Sequence, residues 1–177
     1  MQVHHAAVLV PLVDRAEGLT VLLTQRGGHL NDHAGQISFP GGRVELDDRD
    51  RSHTALREAQ EEIGMAPERV LLLGVLPEYE MHSGFRITPV VGWIEPPFEL
   101  ALDPFEVADV FEVPLAFVLD PQHYQRRSYI RDGEQRRYVA MPYQGRYIWG
   151  ATAGMLFFLG QLLREDARWQ LPSCSPC

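Results

Sequence analysis

The sequence predicts an α+β fold, a mixed sheet covered by helices. Three observations carry this. Short runs rich in Val, Leu and Ile, bounded by Gly, Pro or acidic residues, recur along the chain; one amphipathic helical stretch interrupts them; and an apolar helix follows near the C-terminus. With 177 residues, 45% hydrophobic and 23% charged, the chain has the material for one domain with a full core. The boundaries expected are 1–170 for that domain and 171–177 for a flexible tail.

Taken in order, strands are expected at 5–13, 19–26, 70–76, 86–94 and 107–113. Phe39-Pro40-Gly41-Gly42 reads as a turn leading to the first helix. That helix is expected over 52–63, with Ser52 as its N-cap and Gly64 at the C-cap position. Leu56, Ala59 and Ile63 fall on one stripe, which would bury one side against a sheet and leave Glu58, Glu61 and Glu62 accessible. The prolines of 94–104 require a loop there. Segments 124–131 and 135–143 flank Asp132-Gly133, a pair that tolerates positive φ and marks a hairpin. The longest apolar stretch, 147–163, is short for a bilayer span and interrupted by Gly150, Gly154, Gly160 and Gln161, so it reads as a buried helix, with Trp149, Phe157 and Phe158 as core residues.

Charge and cysteine content narrow the function classes. The net charge is −8 and Lys is absent, which argues against general affinity for nucleic acid or anionic membrane. Cys174 and Cys177, both near the C-terminus, supply no disulfide framework, which fits a reducing cytoplasm. Their C-x-x-C spacing lacks the second ligand pair of a zinc site. The first residues lack the basic and apolar regions of a secretory signal. A monomer or a homodimer is expected.

The chemistry concentrates in Arg57-Glu58-Ala59-Gln60-Glu61-Glu62-Ile63-Gly64. Helical spacing lets Glu58, Glu61 and Glu62 lean toward one patch about a turn long. Acidic runs on helices are usually solvated faces, but here Gly41 and Gly42 allow close backbone approach and Arg57 can orient a carboxylate through a bidentate pair. Crowded carboxylates of this kind suit a hard divalent cation such as Mg²⁺ or Mn²⁺.

This stretch resembles the defining box of the Nudix hydrolase family, G-x5-E-x7-R-E-U-x-E-E-x-G-U, whose second half matches residues 57–65. The first half departs: Asp48 stands six residues after Gly42 where the box has Glu, eight residues rather than seven separate it from Arg57, and Glu45 is the alternative acid. The stretch from Leu22 to Gly42 is similar to the segment upstream of the box in coenzyme A pyrophosphatases, L-L-T-x-R-[SA]-x3-R-x3-G-x3-F-P-G-G, with Gly27 in place of Ser or Ala and Asn31 in place of Arg.

The resemblance implies a Nudix fold, a mixed β-sheet sandwiched between α-helices. It also implies hydrolysis of the pyrophosphate of CoA, a small-molecule substrate, to 3′,5′-ADP and 4′-phosphopantetheine with Mg²⁺ or Mn²⁺. Glu58 and Glu62 become the first choices as metal ligands, with Glu61 sharing the cation and the Gly42 carbonyl completing the shell. Arg57 belongs to the catalytic set. The general base is open among Glu61, Glu78, Glu80 and Glu106. Arg26, Asn31, His33 and Gly41 are the substrate-binding candidates. Arg126, Arg127, Arg136 and Arg137 form a cluster that could meet the 3′-phosphate or be ordinary surface charge. Other nucleoside diphosphate derivatives (NADH, ADP-ribose, a nucleoside triphosphate) and a binding module without turnover are the alternatives.

Overall fold

The computed structural model describes residues 3–28, 35–81, 83–131 and 133–165. Its centre is a mixed sheet. β1 (His4–Arg15) pairs antiparallel with β2 (Gly18–Arg26). Two short strands follow, β3 (Ile37–Ser38) beside β2 and β4 (Gly41–Arg43) beside the start of β1. After helix α1 (Arg51–Ile63) come β5 (Val70–Val75), the two-residue β6 (Tyr79–Glu80) and β7 (Phe85–Ile94). β7 runs parallel to β1, from His4 opposite Phe85 to Val13 opposite Ile94, and pairs antiparallel with β5 and β6 on its other edge. β8 (Val107–Pro114) returns antiparallel to β2. Helix α2 (Leu115–Leu119), a separate antiparallel sheet of β9 (Gln125–Arg131), β10 (Glu134–Tyr143) and β11 (Arg146–Trp149), and helix α3 (Gly150–Glu165) complete the described chain.

Strand alternation distributes the core. Val10 and Leu12 of β1, with Val21 and Leu23 of β2, face one way and pack with Leu115, Val118, Met155, Leu156 and Leu159 of α2 and α3. Ala7, Leu9 and Val13, with Leu22, face the other way and pack with Ala55, Ala59 and Ile63 of α1. A period of two on the strands thus gives each helix layer its own apolar face. The α+β sandwich expected from the sequence is the one observed.

Several boundaries differ. The α1 N-cap is Asp50, not Ser52: its carboxylate accepts from His53 N at 2.8 Å, and Ser52 is already within the first turn. The C-cap is Gly64 as expected, at φ 69°. Gly41 and Gly42 are strand rather than turn, because β1 continues past β2 and recruits them as a partner. The stretch starting at Tyr147 opens as β11, and the helix begins at Gly150. Phe157 and Phe158 are half-buried at its surface, where Phe157 meets Tyr124 edge-on at 5.1 Å. The hairpin closes with Glu134 opposite Arg131; Asp132 and the tail residues 166–177 lie outside the described residues.

Candidate active site

α1 lies over β1 and β4 because Ala55, Ala59 and Ile63 are fully buried there. The buried stripe is wider than the expected one: Ala59 and Ile63 are joined by Ala55, Leu56 packs partly buried beside them, and Glu62 turns inward as well. Glu62 is only 4% exposed, which corrects the expectation of three accessible carboxylates. Its Oε2 accepts from Gly41 N at 3.2 Å. Glu58, one turn earlier, lies against the backbone of Gly42, where a Cβ would fall 2.3 Å from Glu58 Oε1. A Cβ on Gly41 would strike Ala7 O at 2.5 Å. Neither glycine has a positive φ. They are required for clearance, not for a turn.

Arg57 holds this face in place. Its Nε and Nη2 donate to the two oxygens of Asp48, each at 3.0 Å; Nη1 donates to Glu58 Oε1 at 3.0 Å and to Glu61 Oε2 at 3.1 Å; and Nη2 also reaches Arg43 O at 3.1 Å. Asp48 is 1% exposed and accepts additionally from Thr54 Oγ1 and Glu45 N, both at 2.9 Å. The Arg57 guanidinium beside it keeps its carboxyl far below the usual range. Asp48 is thus the counterion of Arg57. Glu45 stands 4.0 Å from Arg57 at its exposed rim.

A third acid arrives from the loop after β7. That loop is tied to the end of α1 by Ala101 N donating to Ile63 O and Asp103 N donating to Glu62 O, each at 2.9 Å. Gly27 N donates to Glu106 O at 2.9 Å. Glu106 therefore sits near enough for its charge to act on both Glu58 and Glu62. Burial pushes Glu58 upward, against the pull of Arg57. Glu62 is pushed up to about 8, chiefly by burial and further by the Glu58 and Glu106 charges, while Gly41 N–H and Arg26 oppose the shift. Arg26 Nε is buried without a partner among the described residues.

Among the candidate bases, Glu78 accepts from Thr88 at 3.3 Å and Glu80 pairs with Arg86 at 3.1 Å, while Glu61 and Glu106 share the field of Glu58. Asn31 and His33 lie outside the described residues. The expected cage is not preassembled: among the described residues, no three or more His, Cys, Asp or Glu side chains are gathered as a metal site. The physical reason is that Glu58 turns toward Arg57 and Glu62 toward Gly41 N. The donor set nonetheless suits a hard cation: partly or fully buried carboxylates whose mutual repulsion a positive ion would relieve, beside a backbone with no side chain in the way.

A model of the NUDIX domain matches residues 3–132 of this chain, most of its length and all of the site just described. The chain belongs to the Nudix family. Among Nudix relatives, the hydrolase NudL of Citrobacter koseri is 45% identical over 152 residues, covering 85% of this chain and 78% of the relative. The Cronobacter sakazakii NudL is 47% identical over the same length and shares. A solved MutT protein from Methanosarcina mazei superposes with a TM-score of 0.58 over 94% of this chain and 99% of its own, at 17% identity. The Ap4A hydrolase of C. elegans does so at 0.54 over 63% and 80%, at 20% identity. At such identities these two structures speak for the Nudix fold alone. Among the described residues no helix is long and apolar enough to cross a membrane.

Proposed function

We propose that this Nudix protein hydrolyses the pyrophosphate bond of coenzyme A to 3′,5′-ADP and 4′-phosphopantetheine with Mg²⁺ or Mn²⁺, as a cytoplasmic monomer or homodimer. The observation that carries the chemistry is the packing of Glu58 and Glu62 against the Gly41-Gly42 strand, with the charge of Glu106, from a separate segment, acting on both. The choice of CoA rests on the likeness of residues 22–42 to the coenzyme A pyrophosphatase segment.

Glu58 and Glu62 would hold the cation, with the Gly42 carbonyl and Glu61 beside them. When bound, the cation supplies charge neutralisation at the diphosphate and lowers the pKa of water. Arg57, anchored to Asp48, positions Glu58 and Glu61. Arg26, whose charge acts on Glu62, supplies a cation beside the carboxylates for a phosphate. Gly41 lets β4 lie close against β1 and holds Glu62 through its N–H. In the reaction a water oxygen bonds to phosphorus, the bridging P–O bond breaks, the departing phosphate keeps the electron pair, and Glu106 accepts the water's proton.

The test is incubation with CoA, NADH, ADP-ribose and a nucleoside triphosphate in ¹⁸O-labelled water, with product analysis. CoA is expected to give 3′,5′-ADP and 4′-phosphopantetheine, one carrying the label. Faster cleavage of another substrate would reassign the specificity, and no cleavage of any would leave a binding module.

A further inference from the structure

The three-stranded sheet turns one face of its β10–β11 end into the core. Met141 and Ile148, opposite each other in register, are fully buried. The alternate residues share the opposite face: Arg136 opposite Tyr129, Tyr138 opposite Arg127, Ala140 opposite Trp149 and Pro142 opposite Tyr147, with Arg127, Tyr129, Pro142 and Tyr147 exposed, Arg136, Tyr138 and Trp149 half-buried and Ala140 buried. Period two therefore collects four aromatic rings and two guanidinium groups on a single outer face of an acidic protein. The rings are mutually braced. Tyr138 meets Trp149 edge-on at 5.5 Å, lies 5.9 Å from Tyr129, and its hydroxyl is 3.3 Å from that of Tyr147. The Arg127 charge acts on the Tyr147 phenol, and Arg136 Nε is buried with no partner among the described residues.

This face ends in a cleft of about 470 Å³ between β11 and the β2–β3 edge, lined by Gln25, Ile37, Arg146, Tyr147 and Trp149 among others. Arg146 is fixed across it by bonds to Gln25 Oε1 at 3.0 Å and Asp109 Oδ2 at 2.7 Å, stacked 4.1 Å over Phe111. Gln25 immediately precedes Arg26, whose charge acts on Glu62 on the other face of β2. The acid cluster and the aromatic cleft thus meet at one strand end.

Resting on the reading of the protein as a pyrophosphatase of a nucleotide-containing substrate, we infer that this cleft and face bind the substrate's nucleotide half: a purine stacks on Tyr147 and Trp149 with the Gln25 amide at its edge, and a ribose-borne phosphate meets Arg127 and Arg136. Aromatic platforms with interleaved arginines suit a flat base joined to an anion. A second phosphate on the ribose is what this arrangement rewards.

The test is a fluorescence titration of the full chain with 3′,5′-ADP and with 5′-AMP. Binding is expected to quench Trp149 emission, with 3′,5′-ADP about tenfold tighter than 5′-AMP. The quench should vanish in Trp149→Phe. Tyr147→Ala should weaken both nucleotides by about tenfold, while Arg127→Ala and Arg136→Ala should erase the preference for 3′,5′-ADP. If either arginine variant fails to fold, Arg127→Gln, at an exposed position, serves in its place. Absence of quenching, quenching that survives in Trp149→Phe, or an undiminished preference in the arginine variants would overturn the assignment. Nucleotide binding with this pattern in a protein that leaves CoA intact would support the cleft and refute the hydrolytic reading. CoA turnover with unchanged KM in Tyr147→Ala would do the reverse.

Discussion

Arg57 and Asp48 form a bidentate pair, Nε to Oδ1 and Nη2 to Oδ2 at 3.0 Å each, almost completely shielded on the carboxylate side. The remaining donors of Arg57 aim Glu58 and Glu61. Asp48→Asn leaves the Arg57 charge to Glu58 and Glu61 and removes a charge-assisted pair, so it should cost roughly 1.5–3 kcal/mol in urea unfolding. The sign with pH follows from the depressed carboxyl. The pair's contribution is present above the unfolded pKa, near 4, and is lost as pH falls below it. Asp48→Asn should therefore show a shallower acid loss of stability than the wild type; equal slopes would contradict the pairing.

Glu62 carries the opposite sign. Its folded carboxyl, pushed up to about 8, holds a proton that the unfolded chain releases near 4.5, so ionisation erodes stability as pH rises through that window. With divalent ions chelated, Glu62→Gln should be more stable than the wild type at pH 9 by roughly 1–3 kcal/mol. The difference should close by pH 4. The same variant should lose activity by about a hundredfold or more with Mg²⁺ present. A Tm gain with a kcat loss separates a cation site from a structural carboxylate.

The two glycines of β4 should fail differently. Gly41→Ala drives a methyl into the backbone of Ala7 and Val8 and should cost about 1–3 kcal/mol of stability. The atoms nearest a Gly42→Ala methyl are those of the Glu58 carboxylate, which can swing aside, so its fold should hold while kcat drops about tenfold. Denaturation curves and steady-state kinetics on the pair check this, and equal stability losses would count against it.

Glu106→Gln should lower kcat by about 10²–10⁴ and remove the acid limb of the pH–rate profile. Glu61→Gln should cost less, since that carboxylate is 59% exposed and held by Arg57. The reverse order would make Glu61 the base.

The layered fold was legible in the sequence because β1, β2 and β7 are long enough to display period two, and α1 is bounded by a capping Gly64. β3, β4, β6 and β11 were not, since strands of two to four residues carry no period and owe their existence to a neighbour's edge. The acidic cluster was legible by spacing. The inward turn of Glu62 was missed because a helix read alone does not reveal which side of an Ala-rich stripe its sheet will cover. Asp48 stood out as an acid one residue out of place, yet its role needed the 43–50 connection folded back onto Arg57. The aromatic face of β9–β11 was visible only as scattered arginines, although Tyr138-x-Ala140 and Tyr147-x-Trp149 hold the alternation that pairs them.

Calorimetric titration of Mn²⁺ into the full chain at pH 7 is the most direct test of the carboxylate cluster. The result expected is saturable binding accompanied by proton release, as the cation displaces the proton from Glu62, with both signals lost in the Glu58→Gln/Glu62→Gln double variant. Absence of uptake, or uptake that the double variant retains unchanged, would contradict the assignment of these carboxylates as the cation site.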